Sequence, residues 1–161
     1  MKIFLSHRSR DKALVREFRD LLPRFLDAWL DEERLSWGDS FPGELKSSIQ
    51  SEVDFLVIFL DREAISSAWV KQELQWAIER EKELKRTFIL PILLEEISPE
   101  NMPTEFSTRL YLRLDDFSRA SVEALANRAT LQLFRLVVES FSACPARNTA
   151  SRFAQRNPRW A

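Results

Sequence analysis

The sequence predicts an α/β fold in which a five-stranded parallel sheet is covered by helices on both faces. Three observations carry this reading. Five short apolar or alternating segments are separated by segments whose apolar residues recur at helical spacing. The third of them, Phe55-Leu56-Val57-Ile58-Phe59-Leu60, is an unbroken apolar run of the kind found in strands buried on both faces. The chain has 161 residues, 45% of them hydrophobic, which fits one domain with one core.

Lys2 to Ser6 opens the chain as the first strand, and Leu14, Val15, Phe18, Leu21 and Leu22 mark the first helix. Ser9 and Asp11 suit the helix start by capping and by complementing its dipole, and Pro23 ends it by disfavouring helical geometry at Leu22. Asp27-Ala28-Trp29-Leu30-Asp31 reads as the second strand. Glu32 to Gly43, with both glycines and Pro42, is the main loop. Leu45, Ile49 and Val53 recur at helical spacing before the third strand. The next helix is predicted from about Ser67 to Lys85. Phe88 to Leu94 is strand-like apart from Pro91, which removes a ladder donor. Glu95 to Ser107 is polar, contains two prolines and reads as a loop with one helical turn. Leu110, Leu112 and Leu114 alternate with wetter partners, as in an edge strand. The apolar stripe Val122, Leu125, Ala129, Leu133, Leu136 and Val137 predicts a last helix from Ser121 to Phe141.

Right-handed crossovers between such strands give a flavodoxin-like sheet of order 2-1-3-4-5, whose ligand site lies beyond the C-terminal strand ends where the order reverses. Ser6 to Ser9 and Asp61 to Trp69 should border that cleft.

Composition removes several chemistries. One cysteine, Cys144, and one histidine, His7, can build neither an internal disulfide nor a Cys/His metal cluster. Two glycines, Gly38 and Gly43, cannot supply a dinucleotide or phosphate-loop fingerprint. No apolar run approaches the roughly 20 residues that span a bilayer, and the start lacks the layout of a secretory signal, so a cytoplasmic protein is expected. The segment 142–161 holds Arg147, Arg152, Arg156 and Arg159 and no acid, leaving the remainder acidic. Such a body gives no reason to expect nucleic acid. The Arg-rich segment reads as a solvated tail or linker, with contact to a phosphate or a partner protein as the alternative.

FLSHRSRDKALVREF, AWLDEERLSWGDSFPGEL, FLVIFL and SSAWVKQEL, in this order, resemble the TIR (Toll/interleukin-1 receptor) family, and the W-x-x-x-E-L setting of Trp69 and Glu73 is similar to that of its NAD-cleaving bacterial members. ILPILL fits too, since the family often has proline there. Asp61 departs from the pattern, standing where many relatives have serine. The resemblance divides the chain into a TIR domain over 1–141 and the tail over 142–161.

On the helix from Ser67, Val70, Leu74, Ala77 and Leu84 form the buried stripe, with Trp69, Glu73 and Trp76 beside it. That places a carboxylate between two indoles at the border of the core, a position that lining a cleft explains best. A surface role for Glu73 with ordinary packing of Trp69 is the competing reading.

The resemblance implies cleavage of the nicotinamide–ribose bond of NAD+, giving nicotinamide and ADP-ribose or a cyclic isomer. NAD+ is then the substrate, with no further cofactor and no metal. Nicotinamide leaves as a neutral base, so no general acid is needed and one carboxylate suffices. Glu73 would stabilise the oxocarbenium-like ribosyl centre and bind the ribose hydroxyls, while Trp69 stacks on an aromatic ring. Water, or the adenine of the same molecule, would accept the ribosyl group. Ser6, His7 and Arg8 lie where family members contact ribose and phosphates, and Arg8 suits a pyrophosphate. For His7, a surface-loop position competes evenly with a place in the site. A Ser-His nucleophilic pair is discounted, because neighbours on a strand point apart and no orienting acid is evident. Glu32 to Gly43 corresponds to the family's BB loop, which reaches a neighbouring subunit. Leu35, Trp37 and Phe41 are its interface candidates, with Leu35 and Trp37 also expected at the ligand and Phe41 equally able to anchor the loop on its own core.

The expected function is an assembly-activated NAD+ glycohydrolase or cyclase of bacterial immune defence, homo-oligomeric through the loop 32–43, with a sensor or effector as a further partner. The alternative is a non-catalytic TIR adaptor that signals by association. A phosphoacceptor receiver would need acids after the first strand, where Ser-His-Arg-Ser-Arg stands. A nucleoside deoxyribosyltransferase-like enzyme would share the carboxylate chemistry on a related fold.

Overall fold

The computed structural model describes residues 1–30, 52–66 and 68–142, and for residues 68–70 and 140–142 the backbone alone. Its sheet is parallel throughout, in the predicted order, with β2 (Asp27–Leu30), β1 (Lys2–Ser6), β3 (Phe55–Leu60), β4 (Ile89–Leu93) and β5 (Leu112–Arg113) side by side. Leu5 lies opposite Leu30 on one side and Val57 on the other, so β1 and β3 form the centre.

Strand side chains alternate between faces, and this parity sorts the core. Ile3, Leu5, Val57 and Phe59 pack with Val15 and Phe18 of α1 (Lys12–Leu21) and with Val122, Leu125 and Leu133 of α4 (Arg119–Ser142). Phe4, Leu56, Ile58 and Leu60 pack on the other face with Ala64 of α2 (Arg62–Ser66) and with Leu74, Trp76 and Ala77 of α3 (Ala68–Leu84). No described helix is long and apolar enough to cross a membrane.

Several local expectations are corrected. Ser9 and Asp11 form a 3-10 turn before α1, and neither caps it through its side chain. Asp11 Oδ1 lies 3.6 Å from Arg10 Nε while Oδ2 is buried without a hydrogen-bond partner. Burial, with the nearby Asp61 charge, raises the Asp11 pKa. The helix does end at Leu22, which is extended before Pro23. Helix α2 was not predicted, since five residues are too few to display helical periodicity. Lys85 closes α3 in the left-handed region at φ 51°, its N–H bonded to the Glu81 carbonyl at 3.0 Å, so the helix stops one residue earlier than expected. The fifth strand is shorter than Leu110 to Leu114 suggests, because only Leu112 and Arg113 pair with β4 and Leu110 is exposed.

Pro91 is accommodated by that short edge. Leu94 N–H bonds Leu60 O on the β3 side, whereas the Leu93 carbonyl accepts from Leu114 on the β5 side. Odd-numbered backbone groups of β4 therefore face β5. β5 begins opposite Ile92, so the donor that proline lacks has no strand to meet.

At the other end of the sheet Glu81 fastens α3 to β4. Its Oε1 accepts from the amides of Phe88 (2.9 Å) and Ile89 (3.3 Å) and from Arg109 Nη1 (2.8 Å), and its Oε2 accepts from Arg109 Nη2. Burial alone would raise the Glu81 pKa, but Arg109 and the two amides outweigh it, so the pKa lies below the usual value. A carboxyl whose folded pKa is depressed stabilises the fold above its unfolded pKa and loses that contribution as pH falls through the folded value. Glu81→Gln should therefore cost about 2 kcal/mol in urea denaturation at neutral pH, the scale of hydrogen bonds to a charged group. The difference from wild type should shrink as the pH is lowered below the carboxylate range.

Candidate functional site

Among the described residues the buried polar or charged side chains are Ser6, His7, Asp61 and Glu73. Three of them stand at the C-terminal ends of the two central strands, and the fourth meets Ser6 from α3. Buried polar groups cost free energy unless they find partners, so their partners define the site.

Parity separates them into two constellations. Ser6 shares the α3 face with Phe4, and its hydroxyl donates to Glu73 Oε2. Both residues are 1% exposed. On α3, Glu73 sits one position before Leu74 and four before Ala77, which turns its carboxylate toward the sheet with the core stripe. Trp76 belongs to the core instead of lining a cleft. His7 is buried, contrary to a surface-loop position, with its Nδ1 3.2 Å from the Leu5 carbonyl.

Asp61 shares the opposite parity with Phe59 and meets the start of α1. Its Oδ1 accepts from the Ala64 amide, capping α2. Arg8 Nη1 reaches both carboxylate oxygens at 3.2 and 3.1 Å, and Arg10 Nη2 reaches Oδ2 at 2.7 Å. Glu63 Oε2 completes a four-membered network, 2.6 Å from Arg8 Nη2 and 3.1 Å from Arg10 Nη1. Burial would raise the Asp61 pKa, yet the Ala64 amide and the two arginines outweigh it and hold the group below the usual carboxylate range. The Glu63 hydrogen bond is the largest of the effects that raise the Arg8 pKa.

A cleft of about 720 Å³ opens along α3 between Lys71, Leu74, Gln75 and Ile78 and the segment from Asn101 to Phe106. Lys71, Gln75 and Ile78 project from the side of the helix away from Glu73, and none of the four buried polar groups lines this cleft. The buried polar groups lie instead at the junction of β1, β3 and α3. Among the described residues no cluster of His, Cys, Asp and Glu could hold a metal ion.

A family model described as "TIR domain" matches residues 3–128. The chain belongs to the TIR domain family. Its fold resembles the TIR domains of the activated Roq1 resistosome directly recognizing the pathogen effector XopQ, at 21% identity and TM-score 0.53, over 88% of this chain and 97% of that one. It also resembles the TIR domain of the Toll-related receptor TRR-2 from Hydra magnipapillata, at 14% identity and TM-score 0.60, over 83% of this chain and 97% of that one. No curated protein sequence matches significantly.

The TIR domain thus brings Ser6 and Glu73 together and keeps His7, next to Ser6 in sequence, buried. Arg8, expected to be available to a phosphate, is engaged by Asp61 and Glu63. Trp69 lies on α3, but its side chain, like Leu35, Trp37, Phe41 and the whole loop 32–43, lies outside the described residues, as does the tail from 143 to 161. Sequence reasoning missed the roles of Arg10 and Glu63. Only the cap that Asp61 provides had a signal, in Asp61-Arg-Glu-Ala64: an acid directly after an apolar strand and three residues before a helical residue is a capping pattern.

Asparagine can replace the cap that Asp61 provides but not its charge, whereas alanine supplies neither. In urea denaturation Asp61→Ala should therefore be less stable than Asp61→Asn by about 1 kcal/mol, the usual worth of an N-cap, with both below wild type.

Proposed function

We propose that this TIR domain cleaves NAD+ at the nicotinamide–ribose bond, with Glu73 as the catalytic carboxylate. The observation that carries the reading is the buried Ser6–Glu73 hydrogen bond at the C-terminal end of β1, beside the switch in strand order where doubly wound sheets bind ligands. A carboxylate in a dry setting acts on a developing positive charge far more strongly than one in water. The ribosyl centre becomes cationic as nicotinamide departs. One oriented carboxylate stabilises that centre, and the neutral leaving group needs no acid. Ser6 fixes the Glu73 rotamer by donating to one oxygen. Trp69, one turn before Glu73 on α3, would stack on a ring of the substrate. Water or the adenine of the same molecule takes the ribosyl group, giving ADP-ribose or a cyclic isomer. Assembly through the loop 32–43 would complete the site, and defence by NAD+ depletion or by a signalling product would be the biological setting.

Incubation of the purified chain with NAD+, with and without a crowding agent, tests this by chromatography of the products. Wild type should release nicotinamide under assembling conditions. Glu73→Ala should lower the rate by about 10²–10³-fold, as loss of a pre-oriented electrostatic group does. Ser6→Ala should lower it by about 10-fold, the effect of one hydrogen bond to a charged group. Absence of turnover under every assembling condition would refute the enzyme reading.

One observation favours the alternative, a scaffold that acts by association. Leu131, Phe134 and Val138 are exposed on α4 at positions that share one helical face. If association through this face is the function, Leu131→Ser combined with Phe134→Ser should lower the sedimentation coefficient of assembled protein while leaving the circular dichroism spectrum unchanged. Unaltered assembly in that variant would remove the face from consideration.

A further inference from the structure

The cleft along α3 takes no part in the proposed reaction, and its lining divides by chemistry. The floor is apolar: Leu60, Leu74 and Phe106 are buried, with Ile78 and Met102 half-buried beside them. The rim is polar, and several of its groups are already engaged. Arg62 gives Nη2 to the Glu96 carbonyl at 3.2 Å and lies 3.9 Å from Glu95. Gln75 donates Nε2 to Glu79 Oε1 at 3.2 Å, and Asn101 donates Nδ2 to Ser98 Oγ at 2.8 Å, which leaves each amide its carbonyl oxygen. Among the described residues Lys71, on the helix wall, has no hydrogen-bond or ion-pair partner, and Glu105, on the opposite wall, accepts only from Thr104 and has no cation within ion-pair reach. What stays open is one cation, one carboxylate facing it across the cleft, two amide oxygens and an apolar floor between them. A simple anion would answer Lys71 alone and a simple amine Glu105 alone, and neither would cover the floor.

We propose that this cleft binds a short zwitterionic peptide of apolar residues, with its carboxylate at Lys71, its ammonium at Glu105 and its side chains on Leu74, Ile78, Met102 and Phe106. The remaining N–H groups of such a ligand meet the oxygens of Gln75 and Asn101. A ligand of no net charge matches the two open charges and leaves no surplus of either sign. Length follows from the helix wall. From Lys71 to Ile78 the helix rises about 10 Å at roughly 1.5 Å per residue, the reach of about three extended residues at roughly 3.3–3.6 Å each. The volume of about 720 Å³ suits a ligand of that size. Met102 suits a floor that meets differing apolar side chains, because its unbranched thioether adapts to the shape against it. The site does not depend on the NAD-cleaving reading.

Titration of the isotope-labelled full chain with leucyl-phenylalanine, followed by NMR, tests the site without any turnover. The amides of 74–78 and 101–106 should shift together and saturate. Acetylating the peptide's amino group, or amidating its carboxyl group, should each weaken binding about two- to fivefold, the equilibrium equivalent of one exposed ion pair. Glu105→Gln should weaken the free peptide by the same factor and the acetylated peptide no further. Lys71→Met should likewise weaken the free peptide and leave the amidated one unchanged, because each pair of changes removes one shared interaction. Glycyl-glycine, with both charges and no apolar body, should bind about tenfold more weakly or worse. Lys82→Met, which removes the same charge from α3 outside the cleft, should leave the affinity at the wild-type value. No saturable shift in those two segments, equal binding of glycyl-glycine, or losses that fail to pair the amino group with Glu105 and the carboxyl group with Lys71 would overturn the proposal. An equal loss in Lys82→Met would overturn it too, since overall charge alone would then govern binding.

Discussion

β1 and β3 are buried on both faces, and almost everything else follows from that constraint. A central strand offers each side chain one of two apolar layers, chosen by parity, and neither layer tolerates an unpartnered polar group. Polar residues can therefore enter the middle of the domain only where these strands run out. Ser6 and Asp61 do so one position past apolar runs, with opposite parity, and are answered from opposite sides, Ser6 by Glu73 and Asp61 by Arg8 and Arg10. The site is a consequence of where the strands stop.

The fold was legible because its signals are strong and local. Six apolar residues in a row admit few readings, and the helical stripes of α1, α3 and α4 are long enough to count. Glu73 was legible for a related reason: its spacing from Leu74 and Ala77 puts it beside the buried stripe. Glu63 was not. An acid on an exposed single-turn helix has no periodicity to betray it, and its importance depends on Arg10 approaching from a segment some fifty positions away. Long-range ion pairs leave no pattern in one sequence. The same holds for the extent of β5, which depends on the turns around Arg109 and on β4, not on the alternation of its own leucines.

Asp61 shows how one departure from a family pattern changes a neighbourhood. Where many TIR relatives have serine, this chain has a charge that must be neutralised because it is buried. Two arginines do that, and an exposed glutamate then balances the second of them.

The pairing of Pro91 with a two-residue edge strand has a further consequence. Sheet edges invite other chains to add a strand, and proteins that gather in many copies are the most exposed to that hazard. On the β5 side this domain presents Leu112 and Arg113 as its last rung, and one strand further in, proline withholds a donor where a longer neighbour would have needed it. A visiting chain finds too little ladder to zip onto. Any copies that met on that side would have to recognise each other through side chains, because backbone pairing finds no ladder there.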